Sequence, residues 1–306
     1  MKNETPKVSK LESIPEMHKM LGLPGPVHPL ISLLDATKTQ VSLNQLPGSY
    51  VPGFYKISFI TKLGGKFRYG QGYYDFNEGS IIFTAPNQVV GSLREKYEDN
   101  QAYSLIIHPH FMQGYPLVNK IKGYGFFSYA SNEALHLSEQ EKATILAIYN
   151  FIGEELNSRL DDFSHEVIIA QIELLLSYAK RFYKRQFLTR QVVSSDLLEQ
   201  LEELLNIYFE QEQSLNHGVP TVHYLAERLN FSPNYLSDML RALTGLSAQQ
   251  HIHQKLIERS KQLLSTTSLT ISEVAYQLGF EHAQSFSRLF KMKTQVSPVQ
   301  FRAAFS

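Results

Sequence analysis

The feature that most constrains the fold of this 306-residue chain is an internal repeat of about fifty residues near its C-terminus. Leu225-Ala226 matches Val274-Ala275, and Leu229-Asn230-Phe231 matches Leu278-Gly279-Phe280. The match continues beyond a one-residue insertion, as far as Pro298 in the second copy. Two copies of one supersecondary unit are the simplest account of this self-similarity.

Each copy predicts a helix-turn-helix. A short amphipathic helix comes first, and the turn holds Asn230 or Gly279, residue types that tolerate a left-handed backbone. In the first copy Ser232 can cap the second helix and Pro233 suits its first turn. Thr270 with Glu273 forms a capping box at the start of the second copy. A connecting helix is expected from Ser247 to about Leu264.

The charge of the chain is divided unequally along its length. Lys and Arg number 29, as do Asp and Glu, so the formal net charge is zero. Residues 216–306 contain nine basic and five acidic residues, a surplus of four positive charges that the first 215 residues balance. The neutral total argues against a histone-like protein, but the basic C-terminal module suits nucleic-acid binding.

Residues 30–110 show the alternation of strands separated by turns, which predicts a sandwich or barrel. The positions expected to point inward are apolar or aromatic: Tyr55, Ile57, Phe59, Phe67, Tyr69, Ile81 and Phe83. These side chains would line a ligand pocket or fill a β core, and both interpretations stay open.

After about residue 110 the period becomes helical. Ser138 with Glu141 forms a capping box, and further helices are expected at about 164–190 and 195–210. In the last of these, the stripe Leu197, Leu201, Leu204, Tyr208 suits pairing with a second copy as a homodimer, or packing on its own domain. The polar segment 211–220 is predicted to be the interdomain linker.

Because of these features, the C-terminal ninety or so residues resemble the AraC/XylS family of bacterial transcription regulators. The most specific stretch, residues 271–302, is ISEVAYQLGFEHAQSFSRLFKMKTQVSPVQFR. The resemblance implies a cytoplasmic regulator of transcription that binds double-stranded DNA. Its two helix-turn-helix units would be joined by a rigid helix and insert their second helices into successive major grooves. If the protein is an activator, RNA polymerase is a further partner.

The resemblance places the DNA-contacting positions on the exposed side of each second helix: Asn234, Ser237, Asp238, Arg241, His282, Ala283, Gln284, Arg288, Lys291 and Lys293. Gln284 can pair with adenine and Arg288 with guanine, while Arg241, Lys291 and Lys293 are candidates for phosphate contacts. Asp238 departs from the basic residue often found at its position. It either accepts a hydrogen bond from cytosine or makes no contact.

The N-terminal part resembles, more weakly, the cupin-like domain of many family members. The implied fold is α+β: an irregular segment over 1–29, a cupin-like β domain over 30–112, helices over 113–210, a linker over 211–220 and an all-α DNA-binding domain over 221–306. An effector would contact Tyr55, Phe59, Phe67, Tyr69 and Phe83. A regulator that has no small-molecule effector is the alternative.

An enzymatic role is not expected, and no metal or other cofactor is predicted. The chain has no cysteine and lacks a Gly-rich phosphate loop and the G-x-S-x-G and H-E-x-x-H motifs. In the N-terminal half, His108-Pro109-His110 is the one close histidine pair, and Pro109 disfavours regular strand pairing there. A cupin-type metal enzyme fused to a DNA-binding domain is kept as the alternative.

Two further segments bear on location and contacts. Residues 1–11 lack the apolar core of a signal peptide, and the longest apolar runs are too short to span a membrane, so we expect no membrane association. A basic run, Lys180, Arg181, Lys184, Arg185 and Arg190, is interpreted as a solvated helix face whose interleaved aromatic residues pack inward. A DNA contact is the alternative for this run.

Overall fold

The computed structural model describes residues 9–36, 49–62, 67–69, 72–74, 79–91, 101–158, 161, 163–189 and 191–304. The chain forms two compact units that divide between Gln186 and Phe187. The first unit contains the described strands followed by helices, and the second consists of helices. The predicted α+β class with an all-helical C-terminal domain is therefore confirmed.

The described strands form three sheets. In chain order they are β1 (Ser9–Leu11), β2 (Ile31–Asp35), β3 (Ser49–Pro52), β4 (Tyr55–Lys62), β5 (Phe67–Tyr69), β6 (Gly72–Tyr74), β7 (Ser80–Thr84), β8 (Val90–Gly91), β9 (Gln101–Ile107) and β10 (Leu135–His136). The largest sheet is antiparallel with the order β10-β7-β4-β9-β2. β1, β3 and β8 form the second sheet, and β5 with β6 forms the third.

The helices of the first unit follow the sheet, apart from one short N-terminal helix. They are α1 (Ile14–Met20), α2 (Leu117–Lys120), α3 (Glu139–Asn157) and α4 (Ser164–Thr189), whose last residues pass into the second unit. The predicted capping box of α3 is confirmed, because Ser138 accepts a hydrogen bond from the Glu141 backbone and Glu141 accepts one from the Ser138 backbone.

Aromatic side chains between the large sheet and the helices form the core of the first unit. Ile57 and Phe59 of β4 and Phe83 of β7 are at most 5% exposed. Tyr149 of α3 is completely buried and donates a hydrogen bond to the Ile57 carbonyl oxygen at 2.9 Å. Burial raises the pKa of the Tyr149 phenol, so this group stays a neutral donor.

The second unit contains eight further helices among the described residues. They are α5 (Gln191–Glu210), α6 (Gln213–His217), α7 (Val222–Arg228), α8 (Pro233–Thr244), α9 (Ala248–Thr266), α10 (Ile271–Gln277), α11 (Ala283–Thr294) and α12 (Pro298–Ala303). Local signals define several starts. Ser232 caps α8 with Pro233 in the first turn, and Thr270 with Glu273 forms the predicted capping box of α10.

The predicted linker over 211–220 differs from the structure, since these residues pack within the second unit. Ser214 of α6 is buried, and its hydroxyl donates to the Gln277 carbonyl oxygen at 2.6 Å. Tyr208 of α5 donates to the Gly218 carbonyl oxygen at 2.9 Å. Polar composition suggested a solvated linker, but Ser214 and the Gly218 carbonyl oxygen are engaged in tertiary hydrogen bonds.

Candidate nucleic-acid interface

Each predicted helix-turn-helix is present, as α7–α8 and as α10–α11. The residues that reverse the chain have left-handed backbones, with φ of 59° at Asn230 and 89° at Gly279. In both copies the next aromatic residue closes the turn, because the Phe231 amide donates to the Ala226 carbonyl oxygen at 2.8 Å and the Phe280 amide donates to the Ala275 carbonyl oxygen at 3.0 Å. The internal repeat therefore extends to backbone hydrogen bonds.

Helix α8 and helix α11 each bury one side and expose the other. The buried side chains are Tyr235, Leu236, Met239 and Leu240 in α8, and Phe286 and Phe290 in α11. Of the candidate DNA-contacting residues, seven are exposed: Asn234, Arg241, His282, Gln284, Arg288, Lys291 and Lys293. Ser237, Asp238 and Ala283 are half-buried. The candidate positions thus lie on or beside the solvent-facing sides of the two second helices.

Asp238 and Arg241 of α8 form an ion pair within the helix, with 2.7 Å between Arg241 Nη1 and Asp238 Oδ1. Both side chains are partly exposed, with relative accessibilities of 31% for Asp238 and 55% for Arg241. This pairing reduces the positive charge that α8 presents. It joins a residue predicted to contact bases to one predicted to contact phosphates.

Helix α11 presents its charges differently. Arg288, Lys291 and Lys293 are all exposed, and Lys291 and Lys293 lie in the last turn, where cations favour the negative end of the helix dipole. His282 occupies the N-cap position without a side-chain cap hydrogen bond. The second copy is therefore the more basic of the two recognition surfaces.

Helix α5 belongs to the same unit as the two helix-turn-helix copies and packs within it. Leu197, Leu201 and Tyr208 are 3%, 1% and 2% exposed. The predicted homodimer stripe is thus packed on its own domain, which is one of the two arrangements left open. Glu210 at the end of α5 pairs with Arg259 of α9 at 3.1 Å. Leu204, the fourth residue of the stripe, is half-buried.

The aromatic residues predicted to bind an effector are packed as core wherever the structure describes their side chains. Tyr55 contacts Phe127 with ring centroids 5.1 Å apart, and Phe83 contacts Phe126 at 4.4 Å. Phe59 is 1% exposed. These three correspond to the filled β core. The side chains of Phe67 and Tyr69 lie outside the described residues.

A pocket that the sequence did not indicate lies elsewhere in the first unit. Its volume is about 290 Å³, and its lining includes Gly25, β2 and the end of α3 at Leu156. His18 contributes to the wall through a fixed ring, since Nδ1 lies 2.6 Å from the Pro24 carbonyl oxygen and Nε2 lies 2.8 Å from Ser32 Oγ. No sequence motif marks this pocket because its residues come together only in the fold.

The histidine pair after β9 lies at the start of a short 3₁₀ helix, Pro109–Met112, with His108 as its N-cap residue. The two rings are 4.8 Å apart, and His108 Nδ1 accepts a hydrogen bond from the His110 amide at 3.3 Å. Burial, and then the charge of His110, lower the pKa of His108. In the part of the chain that the structure describes, no three His, Asp or Glu side chains are grouped as metal ligands.

The basic run of α4 is exposed at Lys180, Arg181 and Lys184, whereas Phe182 and Tyr183 between them are buried. Arg185 instead pairs with Glu141 at 2.6 Å and donates to the His136 carbonyl oxygen at 2.7 Å. The solvated face with inward aromatic residues is therefore confirmed, while Arg190 lies outside the described residues. Among the described helices, none is both long enough and apolar enough to cross a bilayer.

Comparison with known proteins finds relatives among transcription regulators that contain a helix-turn-helix domain. A family model described as a helix-turn-helix domain matches residues 225–304. An uncharacterized HTH-type transcriptional regulator of Bacillus subtilis (strain 168), YfiF, is 22% identical over 254 residues, which are 82% of this chain and 77% of that protein. The Msm operon regulatory protein of Streptococcus mutans is 37% identical over 81 residues, 26% of this chain and 29% of that protein.

Two solved structures are similar to parts of this chain. The C-terminal domain of the two-component response regulator yesN from Fusobacterium nucleatum is 36% identical, with 33% of this chain covering 96% of that domain at a TM-score of 0.29. ToxT from Vibrio cholerae is 20% identical over 82% of this chain and 90% of its own, also with a TM-score of 0.29. Coverage of longer relatives is partial, since the chain spans 18% of an HTH-type regulator of Staphylococcus aureus that it matches.

Proposed function

This chain belongs to the AraC/XylS family of DNA-binding transcription regulators, and from that premise we propose that it reads a specific operator with α8 and α11 in two successive major grooves. The observation that carries the proposal is the pair of matching helix-turn-helix units, each with one buried and one exposed side on its second helix. A recognition helix needs such an exposed side, because its base-reading groups must reach the floor of the groove.

Base reading is assigned to the polar side chains of that exposed side. Arg288 has the bidentate geometry that suits guanine, and Gln284 has the amide that suits adenine. His282 and the small Ala283 lie at the start of α11, where recognition helices contact base edges. Asn234 and Ser237 take the equivalent role in α8. The two helices together give the site its sequence preference.

Phosphate contacts are assigned to Lys291, Lys293 and Arg241. The first two are exposed at the basic end of α11 and attract the DNA backbone whatever its sequence. Arg241 is less available because it is paired with Asp238. We therefore expect the second copy to supply most of the electrostatic attraction.

The test is a genome-wide map of the DNA fragments that the purified full-length protein retains, followed by gel shifts on the enriched fragments. One or a few fragments sharing a motif should bind tightly, and their affinity should fall steeply as salt rises. Binding that is equal for all fragments would contradict sequence-specific recognition.

We propose that the first unit is the regulatory part, with a small effector held in the 290 Å³ pocket near His18. The pocket supports this because, among the described residues, it offers room that the packed aromatic core does not. A thermal-shift screen tests it, since a ligand at about 100 times its dissociation constant adds roughly 2.7 kcal/mol of stability. A Cβ at Gly25 would meet open space, so Gly25→Trp should fold and abolish the shift.

If no metabolite stabilises the wild-type protein, the favoured alternative is a regulator controlled by its own abundance. An activating role would add RNA polymerase as a partner, and transcription in vitro from an enriched fragment distinguishes activation from repression. A rise in transcript with added protein indicates an activator, and a fall indicates a repressor.

A further inference from the structure

Strand β2 forms one edge of the large sheet, and this edge borders the pocket near His18. Among the described strands, β2 pairs with β9 in a regular antiparallel register. All five residues of β2, Ile31–Asp35, line the pocket, together with residues 23–27 and the end of α3. One wall of the pocket is therefore an edge strand, whose outer side carries backbone donors and acceptors.

The register of β2 decides which backbone groups face this outer side. The His108 amide donates to the Leu30 carbonyl oxygen at 2.8 Å. The Ala36 amide donates to the Ala102 carbonyl oxygen at 3.0 Å. The even-numbered residues are thus bonded to β9, and in an antiparallel pair the residues between them point their backbone groups the other way. Leu33, in the middle of β2, therefore directs its N–H and C=O away from β9, toward the free edge.

Two prolines keep the preceding segment from pairing with that edge. An isolated antiparallel bridge joins His28 to Ile31. Continued along the chain, the same register would place Pro26 opposite Leu33 and Pro24 opposite the next outward residue. Proline has no N–H to donate, so pairing ends at the bridge. Among the described residues, no backbone hydrogen bond from this segment reaches Leu33.

His18 of α1 holds the proline segment at a distance from β2. Its ring is buried, with Nδ1 2.6 Å from the Pro24 carbonyl oxygen and Nε2 2.8 Å from Ser32 Oγ. The ring thus joins both sides of a gap of about 290 Å³ that borders Leu33. The five residues of β2 span about 17 Å, so an extended tripeptide of about 10 Å fits alongside them.

The charges that line the pocket are of one sign. Asp35 is the one carboxylate among the lining residues, and none of them is Lys or Arg. It stands at the C-terminal end of β2, whereas Leu23, Val27 and Leu156 supply apolar wall. A carboxylate accepts several hydrogen bonds at once, so Asp35 can receive an ammonium group in addition to its partners within the chain. This lining favours a ligand with a positively charged end and apolar side chains.

We propose that the effector of this pocket is a short peptide with a free amino terminus, which binds as an added strand along the edge of β2. The inference rests on the effector pocket of the proposed function and names its class of ligand. The peptide runs antiparallel to β2, with its ammonium group at Asp35 and its central residue bonded to the N–H and C=O of Leu33. Main-chain hydrogen bonds supply affinity in such strand addition, and side-chain pockets supply specificity.

The first experiment measures the Tm of the full-length protein with pools of tripeptides that have a free amino terminus and an amidated carboxyl terminus. These pools should raise the Tm, and the same pools with acetylated amino termini should raise it less. For the best binder, calorimetry should show an affinity about tenfold or more below the parent when the central nitrogen is methylated. No shift with any pool, or equal affinity of the parent and methylated peptides, overturns the proposal.

A proline at position 33 removes the outward donor from the protein. Because the Leu33 N–H is not bonded to β9, an edge-strand proline at this position leaves the ladder intact. Leu33→Ala is the matched control, since it removes the same side chain and keeps the N–H. Leu33→Pro should bind the best tripeptide about tenfold more weakly than Leu33→Ala. Equal affinities of the two variants would show that this edge does not bind the peptide.

Asp35→Asn tests the orientation, and it remains informative if circular dichroism shows that Leu33→Pro does not fold. The variant should bind the free-amine tripeptide about tenfold more weakly, near the affinity of the acetylated peptide for the wild-type protein. A free-amine peptide that binds Asp35→Asn as tightly as the wild-type protein contradicts the placement of its amino terminus.

The outcome for peptides is separable from that for the proposed function. A non-peptide metabolite whose stabilisation is lost in Gly25→Trp would keep the pocket as an effector site and overturn the peptide assignment. If neither peptides nor other metabolites stabilise the protein, both the pocket and its ligand class are wrong. Gel shifts without added ligand report DNA recognition by the second unit in either case.

Discussion

The backbones of Gly279 and Gly218 meet so closely that a Cβ atom on Gly279 would lie 2.4 Å from the Gly218 carbonyl carbon. Gly279 forms the turn of the second helix-turn-helix, and Gly218 ends the short helix that precedes the first. The adjacent hydrogen bond from Ser214 to the Gln277 carbonyl oxygen strengthens the same contact. The segment leading into the first copy is thereby fixed to the turn of the second.

Gly279→Ala should destabilise the second unit strongly, because the methyl group meets backbone atoms and the left-handed φ of 89° is itself unfavourable. We expect a loss of roughly 3 kcal/mol or more in the free energy of unfolding. Gly245→Ala is the matched control: its φ is 79° but its Cβ would meet nothing within 4 Å, so the loss should be about 1–2 kcal/mol. Urea denaturation measures both, and equal losses would contradict the role of the close contact.

Arg288→Ala should weaken binding to the cognate operator by roughly 1–3 kcal/mol and leave binding to unrelated DNA nearly unchanged. Lys291→Ala, on the same helix, should weaken both and lower the slope of log affinity against log salt by about one. Fluorescence anisotropy titrations at several salt concentrations separate the two effects. If Arg288→Ala weakens both kinds of DNA equally, Arg288 contacts phosphate.

Asp238→Asn should tighten DNA binding, by about 1 kcal/mol at low salt, because it removes a negative charge from α8 and releases Arg241 for phosphate. Arg241→Ala in the same background should abolish the gain. If Asp238→Asn instead weakens binding to a site containing cytosine and spares its variants, Asp238 accepts a hydrogen bond from that base. Titrations of the single and double variants against cognate and substituted operators decide between these outcomes.

The sequence alone predicted the structure correctly where the backbone conformation depends on residues that are close together in the chain. The left-handed turns lie at Asn230 and Gly279, and the capping boxes begin at Ser138 and Thr270. Each of these features depends on residues that are a few positions apart. Their side-chain chemistry decides the local backbone whatever surrounds it. The exposed sides of α8 and α11 also follow from periodicity, because the opposite side is apolar throughout.

The sequence did not predict which partner a buried side chain packs against, because that partner lies far away in the chain. Alternation in β4 identified Tyr55 and Phe59 as inward, but only the fold shows that aromatic side chains of later segments, such as Phe127, fill the space in front of them. In α5, the periodicity of the sequence left two possible partners for the leucine stripe: its own domain and a second copy of the chain. The polar composition of residues 211–220 predicted a linker. The structure differs because hydrogen bonds such as that of Ser214 join residues far apart in sequence.

Acid should destabilise the second unit through His251 and His253 of α9. Burial lowers the pKa of both rings below 6.5, with the charge of Lys293 lowering that of His253 further and Glu202 partly opposing the shift of His251. A lowered pKa in the folded state means that the unfolded chain binds more protons near and below pH 6.5. This part of the stability is therefore present above pH 6.5 and lost as the pH falls.

Lys293→Ala isolates the electrostatic part of that shift. Removing the ammonium group should raise the pKa of His253 toward its ordinary value of 6.5 without restoring it fully, because burial is the larger cause. The His253 ring proton, followed by NMR against pH in both proteins, measures the change directly. His251 serves as the internal control, since burial and Glu202 set its pKa and its titration should not move. A His253 titration that is unchanged in Lys293→Ala would show that the two side chains do not interact in solution.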